Sequence, residues 1–481
     1  MEMRPVANAV AWLAAVMGLL MLVCGAVDHA TGGQPASVFV LSGTIVLFCA
    51  FSTILATADT TIRFFDRRQA FLLTSLVWAF LPAVGALPFI LGAPHATLVN
   101  AYFEAMSGMT TTGSTVFPDL DALPRGVLLW RGLLQWLGGL GIVIVAMIFL
   151  PAMRVGGMQF FLTEGFDTLG KILPRALDIA RGLLSVYFLL TAACVIAYVE
   201  FGMTPFEALV HAMTTISTGG FSTTDASFAA FEGPLEYVSA LFMFLASLPL
   251  VRFVQLMGGR VRPIFSDVQV RAYLQLILLS TGAVTAQRWL TGQGDFSEIL
   301  RESVFNVVTL FSGTGYASED ITTWGSFTLT VVFAMALVGG CTGSTACSVK
   351  IFRWLVLWKS VRSMIVRLHT PDRVAEPRLA GRPLERDVID SVIAFFTLFI
   401  LTLGLASAGL ALTGLTFETS VTAAWTSVAN VGPAYGAGLS PSGSMESFPD
   451  SAKWIMIFCM LAGRLEILSL YVLFTRRFWT G

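Results

Sequence analysis

Three short segments of this chain carry small and hydroxyl residues around a Thr-Gly pair. They are Thr110-Thr111-Thr112-Gly113-Ser114-Thr115, Ile216-Ser217-Thr218-Gly219-Gly220-Phe221 and Ser312-Gly313-Thr314-Gly315-Tyr316-Ala317. Asn430-Val431-Gly432-Pro433-Ala434 is a weaker fourth copy. The glycines at 113, 219, 315 and 432 recur at spacings of 106, 96 and 117 residues. Residues of these types suit cation selection. Dehydrating a monovalent cation requires a ring of oxygen ligands, and backbone carbonyls supply it without burying net charge. Glycine permits the backbone angles that turn successive carbonyls toward one axis, and Thr hydroxyls add further oxygens. One copy alone would read as a small-residue helix-packing motif. Four near-evenly spaced copies favour the ring.

Elements of two lengths must position these loops. Semi-apolar runs at 100–111, 205–217, 303–312 and 418–429 lead into them. Each is too short to span a bilayer, which takes about 20 residues, and reads as a re-entrant half-helix. Such a half-helix aims its negative C-terminal dipole end at the ion. Longer runs at 7–27, 37–57, 70–92, 127–150, 179–200, 235–257, 270–290, 389–413 and 452–475 read as crossings. A further run, 326–366, is broken by Gly339-Gly340-Cys341-Thr342-Gly343-Ser344-Thr345. The expectation is ten crossings, one of them discontinuous. The fold class is an all-α multi-pass membrane protein, with an N-terminal two-helix hairpin and four pseudo-fourfold helix–pore-helix–helix repeats around one central ion pore. The expected boundaries are 1–60 for the hairpin, then 61–160, 161–262, 263–370 and 371–481 for the repeats. The third repeat holds the broken helix.

Composition agrees. The 481 residues are 56% hydrophobic and 12% charged, with a mean hydropathy of +0.77. Soluble chains carry about 25% charge, so an ordinary cytosolic enzyme and a disordered chain are excluded. Lys and Arg number 29 against 30 Asp and Glu, which leaves no basic excess for nucleic acid. His29, His95, His211 and His369 are scattered and no HExxH motif occurs, so no enzyme is expected. His211 near Glu207 reads as a packing or capping residue. The six cysteines suggest neither a disulfide framework nor a zinc site. The first apolar run is too long for a signal segment and is expected to stay in the membrane.

Charge sets the orientation. With both termini in the cytoplasm, 23 of the 29 bases fall on the cytoplasmic side and 17 acids on the outer side, as the positive-inside rule requires. A negative outer vestibule would concentrate cations, although acids alone are weak topology signals.

The chain resembles the Trk/Ktr/HKT superfamily of potassium transporters, specifically their TrkH-type membrane subunit. The resemblance covers nearly the whole chain. Its most specific pieces are Phe103-Glu104-Ala105-Met106-Ser107-Gly108-Met109-Thr110-Thr111-Thr112-Gly113, Val155-Gly156-Gly157-Met158-Gln159, Gly339 to Thr345, Asn430-Val431-Gly432-Pro433 and Gly463-Arg464-Leu465-Glu466. It implies K⁺ uptake across the cytoplasmic (inner) membrane, with K⁺ as the bound and transported ion and no cofactor in this chain. The implied selectivity filter is Thr111, Thr112, Gly113, Ser217, Thr218, Gly219, Gly313, Thr314, Gly315, Asn430, Val431 and Gly432. K⁺ would be held at Thr111, Thr112, Thr218, Thr314 and Val431. Family members with serine at the first filter glycine look sodium-selective, so Gly113 favours K⁺. A Na⁺/K⁺ symporter or a weakly selective monovalent cation channel is the alternative.

The resemblance further implies a gate in the broken span. It comprises Gly339, Gly340, Cys341, Thr342, Gly343, Ser344 and Thr345, with Lys350 and Arg464 beside it. The three glycines oppose a continuous helix. Lys350 would place positive charge near the ion path, or snorkel at a helix end. Arg464, in mid-membrane, needs a partner, and carbonyls of 339–345 are expected to supply it. Glu466 is expected to pair with a cytoplasmic-side base. The family pattern Gly-Ser-Thr-Gly-Gly-Gly is here Gly343-Ser344-Thr345-Ala346-Cys347-Ser348, which suggests a stiffer gate. A homodimer and a cytosolic nucleotide-binding ring of TrkA type are the implied partners, alongside the lipid bilayer. No Walker or Rossmann signature occurs in the chain itself.

Overall fold

The computed structural model describes residues 3–32, 37–58, 67–144, 176–370, 372, 376–440 and 442–480. The Val155–Gln159 motif and the end of the 127–150 run lie outside them. The first helices, α1 (Arg4–Thr31) and α2 (Ser37–Ala56), pack as a hairpin. They cross where Gly18 and Gly43 face each other. A β-carbon on Gly43 would sit 2.8 Å from the Gly18 carbonyl oxygen, so small residues set the close approach.

Four units follow. The first contains α3 (Arg67–Gly85), α4 (Leu87–Leu91), the half-helix α5 (Leu98–Met109) and α6 (Arg125–Ile144). The second contains α7 (Ala176–Glu200), the half-helix α8 (Pro205–Ile216), α9 (Pro234–Ala246) and α10 (Leu250–Met257). A short α11 (Arg262–Ser266) leads to the third: α12 (Val268–Leu290), the half-helix α13 (Phe296–Ser312), α14 (Ser326–Ala336) and α15 (Ile351–His369). Between α14 and α15 run β1 (Val338–Gly339) and β2 (Val349–Lys350), paired in parallel. A β3–β4 hairpin (Arg378–Leu379, Arg382–Pro383) precedes the fourth. That unit contains α16 (Arg386–Leu412), the half-helix α17 (Phe417–Ala429), α18 (Asp450–Arg464), α19 (Leu468–Leu473) and α20 (Arg476–Thr480).

Local chemistry starts three of the half-helices. Thr97, Thr204 and Thr416 each accept a backbone N–H three residues on, and Thr204 forms a capping box with Glu207. This satisfies amides that the first turn leaves unpaired. The units close into a ring through one repeated contact. In the first, second and fourth units the helix after the half-helix packs on the next half-helix: α6 on α8, α9 on α13 and α18 on α5. Between the third and fourth units the contact is the Phe333–Trp425 ring pair, centroids 4.6 Å apart, joining α14 to α17.

Among the described residues, five helices are each long and apolar enough to cross a membrane: α1, α2, the α3–α4 stretch, α7 and α16. The 326–366 break is found as expected. Two further runs expected as single crossings are also broken. The 235–257 run bends by 92° between α9 and α10. Pro249 has no N–H to continue the helix, and the Leu250 N–H instead donates to the Gly343 carbonyl at 3.0 Å. The 452–475 run stops at Arg464, with Glu466 and Ile467 at φ of 62° and 39°, and resumes at Leu468.

Candidate cation site

Each half-helix ends where a Gly-containing loop begins, and the four loops share one backbone pattern. Two left-handed residues flank a central one. They are Thr111 and Gly113, Thr218 and Gly220, Gly313 and Gly315, and Asn430 and Gly432. The second left-handed residue of the second loop is therefore Gly220, not the Gly219 to which sequence alignment points. Gly219 occupies the central position, beside Thr112, Thr314 and Val431. Residues 218–220 are one step later than the Thr-Gly alignment because tandem glycines allow two registers and the backbone takes the second.

The loops also close on one another in order. A β-carbon on Gly113 would strike the Gly219 carbonyl, and one on Gly220 the Thr314 carbonyl. One on Gly315 would strike the Val431 carbonyl, and one on Gly432 would lie 2.8 Å from the Thr112 carbonyl. The cycle returns to its start, so four chain segments bring four central carbonyls against four glycines. Thr111, Thr112, Ser217, Thr218, Thr314 and Val431 are fully buried. The Ser114 hydroxyl donates to the Gly432 carbonyl at 2.7 Å, and Asn430 Nδ2 donates to Thr112 Oγ1 at 2.8 Å. Those two bonds fasten the fourth loop to the first.

Above the loops lies a cavity of about 540 Å³. Gly113, Gly220, Gly315 and Gly432 line it, as do Asp225, Glu319 and Asp320. In the corrected register Asp225 and Asp320 both stand five residues past their glycine. Asp119, six past Gly113, is not on the lining. The mouth is acidic, which attracts cations. Among the described residues no cluster of His, Cys, Asp and Glu could hold a resident metal ion.

Below the loops the segment from Gly339 to Ser348 reaches all four units. Thr345 Oγ1 donates to the Ile216 carbonyl at 2.9 Å. The Cys347 N–H donates to the Ser312 carbonyl (3.2 Å) and the Ser348 N–H to the Ala429 carbonyl (2.8 Å). The Cys347 thiol lies 3.4 Å from Thr111 Oγ1. One buried loop therefore caps the C-terminal ends of three half-helices and touches the first loop. Its Cys341 N–H donates to the Ser247 carbonyl at 2.9 Å, where α9 breaks. Ser348 stands at φ 62° without being glycine. Its hydroxyl accounts for this by donating to the Ala336 carbonyl at 2.8 Å, at the end of α14.

The charges beside this loop differ in part from expectation. The Lys350 ammonium is bonded to the Ala346 carbonyl. Arg464 makes no bond to the carbonyls of 339–345. Its Nη1 donates to the Cys347 thiol at 3.4 Å and its Nη2 to the Gly138 carbonyl at 3.2 Å. The loop offers α18 the Cys347 thiol, while its Gly340 and Gly343 carbonyls accept the Ile351 and Leu250 N–H groups. Glu466 pairs with Arg353, which also stacks on Phe395 at 3.8 Å. Because α18 ends at Arg464, helical spacing does not govern where Glu466 points.

Two residues absent from the sequence expectation hold the first two loops. Arg131 Nε meets Glu104 Oε1 at 2.8 Å, both fully buried, and its Nη1 donates to the Ser222 carbonyl at 2.8 Å. Four residues on, Gln135 Nε2 donates to the Gly219 carbonyl at 2.6 Å, and its Oε1 accepts the Phe221 N–H at 3.0 Å. The available signal was a polar pair at helical spacing inside an otherwise apolar run.

Known proteins are similar to this chain. A family model described as "TrkH: Cation transport protein" matches residues 37–479. The Trk system potassium uptake protein TrkI of Halomonas elongata is 42% identical over 413 residues, covering 85% of this chain and 84% of that protein. The TrkH protein of Escherichia coli K12 is 34% identical over 420 residues, 86% of each. The crystal structure of the potassium transporter TrkH from Vibrio parahaemolyticus superposes with a TM-score of 0.91 at 29% identity, covering all of both chains.

Proposed function

The chain belongs to the TrkH family of cation transport proteins, and from that premise we propose that it is the membrane subunit of a K⁺ uptake system. Potassium enters from the acidic outer cavity. It passes the ring formed by Thr111 to Gly113, Thr218 to Gly220, Gly313 to Gly315 and Asn430 to Gly432, and leaves past the 339–348 loop when that loop withdraws. Carbonyls and Thr hydroxyls of the ring replace water around the ion. The half-helix ends add negative potential beneath it. The membrane potential supplies about 2.3 kcal/mol per charge per 100 mV. The observation that carries this reading is the cyclic closure of four loops with one backbone pattern, capped from below by one buried segment.

The remaining parts follow the same reading. Both termini lie in the cytoplasm, where the basic loops collect. Lys350 and Arg464 hold the closed loop rather than repelling the ion directly. A second copy of the chain and a separate cytosolic nucleotide-binding subunit complete the assembly. The test is growth of a bacterium lacking its own K⁺ uptake systems. Expression of the chain should restore growth at low K⁺, and Gly113→Ser should abolish that rescue or make the cells Na⁺-sensitive. Failure of the unaltered chain to restore K⁺ accumulation, while present in the membrane with its cytosolic partner, would contradict the proposal.

A further inference from the structure

Each filter loop leaves its glycine as an irregular strand that no sheet or helix supports. One polar side chain of each half-helix reaches across to that strand. Glu104, His211 and Asn306 each stand nine residues before the second left-handed residue of their loop, Gly113, Gly220 and Gly315. Glu104 accepts the Thr115 hydroxyl and the Val116 N–H, both at 2.9 Å. His211 Nδ1 lies 2.9 Å from the Glu207 carbonyl, which can only accept, so Nδ1 carries the proton. His211 Nε2 then accepts the Ser222 hydroxyl at 3.1 Å. Asn306 Nδ2 donates to Ser318 Oγ at 2.9 Å. In the fourth unit Thr422, ten residues before Gly432, accepts the Tyr435 N–H at 3.0 Å. All four partners begin two or three residues past the glycine.

We propose that Glu104, His211, Asn306 and Thr422 form a ring of braces that fixes the width of the filter and so sets its preference for K⁺ over Na⁺. This rests on the K⁺-uptake reading above. The four side chains differ in chemistry, as carboxylate, imidazole, carboxamide and hydroxyl, yet three stand at the same place, the fourth one residue earlier, and all bond to the strand two or three residues past the glycine. Recurrence of a place without recurrence of a residue type is what a shared positional role produces. All four are buried and only Asn306 reaches the lining of the outer cavity; each bonds to its own loop, so they are positioning residues that act through the loops. A cage that discriminates between ions differing only in size needs its walls held by a supporting shell. Glu104 is the charged brace, and Arg131 extends it to the carbonyl of Ser222 on the second loop.

The test is the permeability ratio of K⁺ to Na⁺, from reversal potentials of purified protein in planar bilayers. Asn306→Ala and His211→Ala remove a brace from the half-helix side. Ser318→Ala and Ser222→Ala remove the same bonds from the loop side by deleting only a hydroxyl, so the fold survives. Each is expected to lower the ratio about three- to tenfold, the worth of one hydrogen bond. The pair Asn306→Ala with Ser318→Ala is expected to be no worse than either alone, because both delete one contact. An unchanged ratio in Ser318→Ala and Ser222→Ala would overturn the inference and leave the K⁺-uptake reading intact. Absence of K⁺ current from the unaltered protein would overturn both.

Discussion

The Arg464 guanidinium donates to the Cys347 thiol across 3.4 Å, joining residues 117 positions apart. That thiol also contacts Thr111 in the first Gly-containing loop. Through Cys347, Arg464 is therefore linked to the first of the four Gly-containing loops, as the proposed gate requires.

Arg464→Ala should loosen this tie and raise resting Rb⁺ leak into proteoliposomes several-fold. Cys347→Ala should raise it less, since Arg464 keeps its bond to the Gly138 carbonyl. Because the two residues share one contact, the double variant should leak no more than Arg464→Ala alone. Equal leak in all three variants and the unaltered protein would show that the contact holds no gate.

The register of the second loop gives a sharper contrast. Gly220 has φ 78° and faces the Thr314 backbone carbonyl, so a β-carbon there has no room. At Gly219 the β-carbon would meet the Gln135 side chain, which can move. Gly220→Ala should reduce K⁺ flux at least tenfold, and Gly219→Ala should reduce it less. The reverse order of fluxes would restore the Gly219 alignment.

A third prediction concerns stability. Arg131→Ala strands the Glu104 carboxylate in the interior, and breaking a buried pair costs about 3–5 kcal/mol. The thermal midpoint of the detergent-solubilised protein should fall by several degrees. Adding Glu104→Gln should recover part of the loss, because the uncompensated charge is gone. A midpoint unmoved by Arg131→Ala would show that the pair is solvated.

Much of this architecture was legible in the chain. Short apolar runs ahead of Gly113, Gly315 and Gly432 announced the half-helices, because about a dozen residues cannot cross a bilayer. Gly339, Gly340 and Gly343 announced the broken span. Tandem Gly219-Gly220 hid the register, since only backbone angles choose between adjacent glycines. The break after Arg464 was hidden for another reason. Leu465-Glu466-Ile467 contains no glycine or proline, and Glu466 is engaged by Arg353 from a helix 113 positions away. The braces were similarly obscure, because His211 and Asn306 become equivalent only once Gly220 takes its place beside Gly315.

The most direct measurement is ion replacement with purified protein in proteoliposomes at a fixed inward-negative potential. Uptake of Rb⁺ should be competed by K⁺ at far lower concentration than by Na⁺, and should follow the imposed potential. No uptake of any monovalent cation, or competition by Na⁺ as strong as by K⁺, would contradict a K⁺-selective pore.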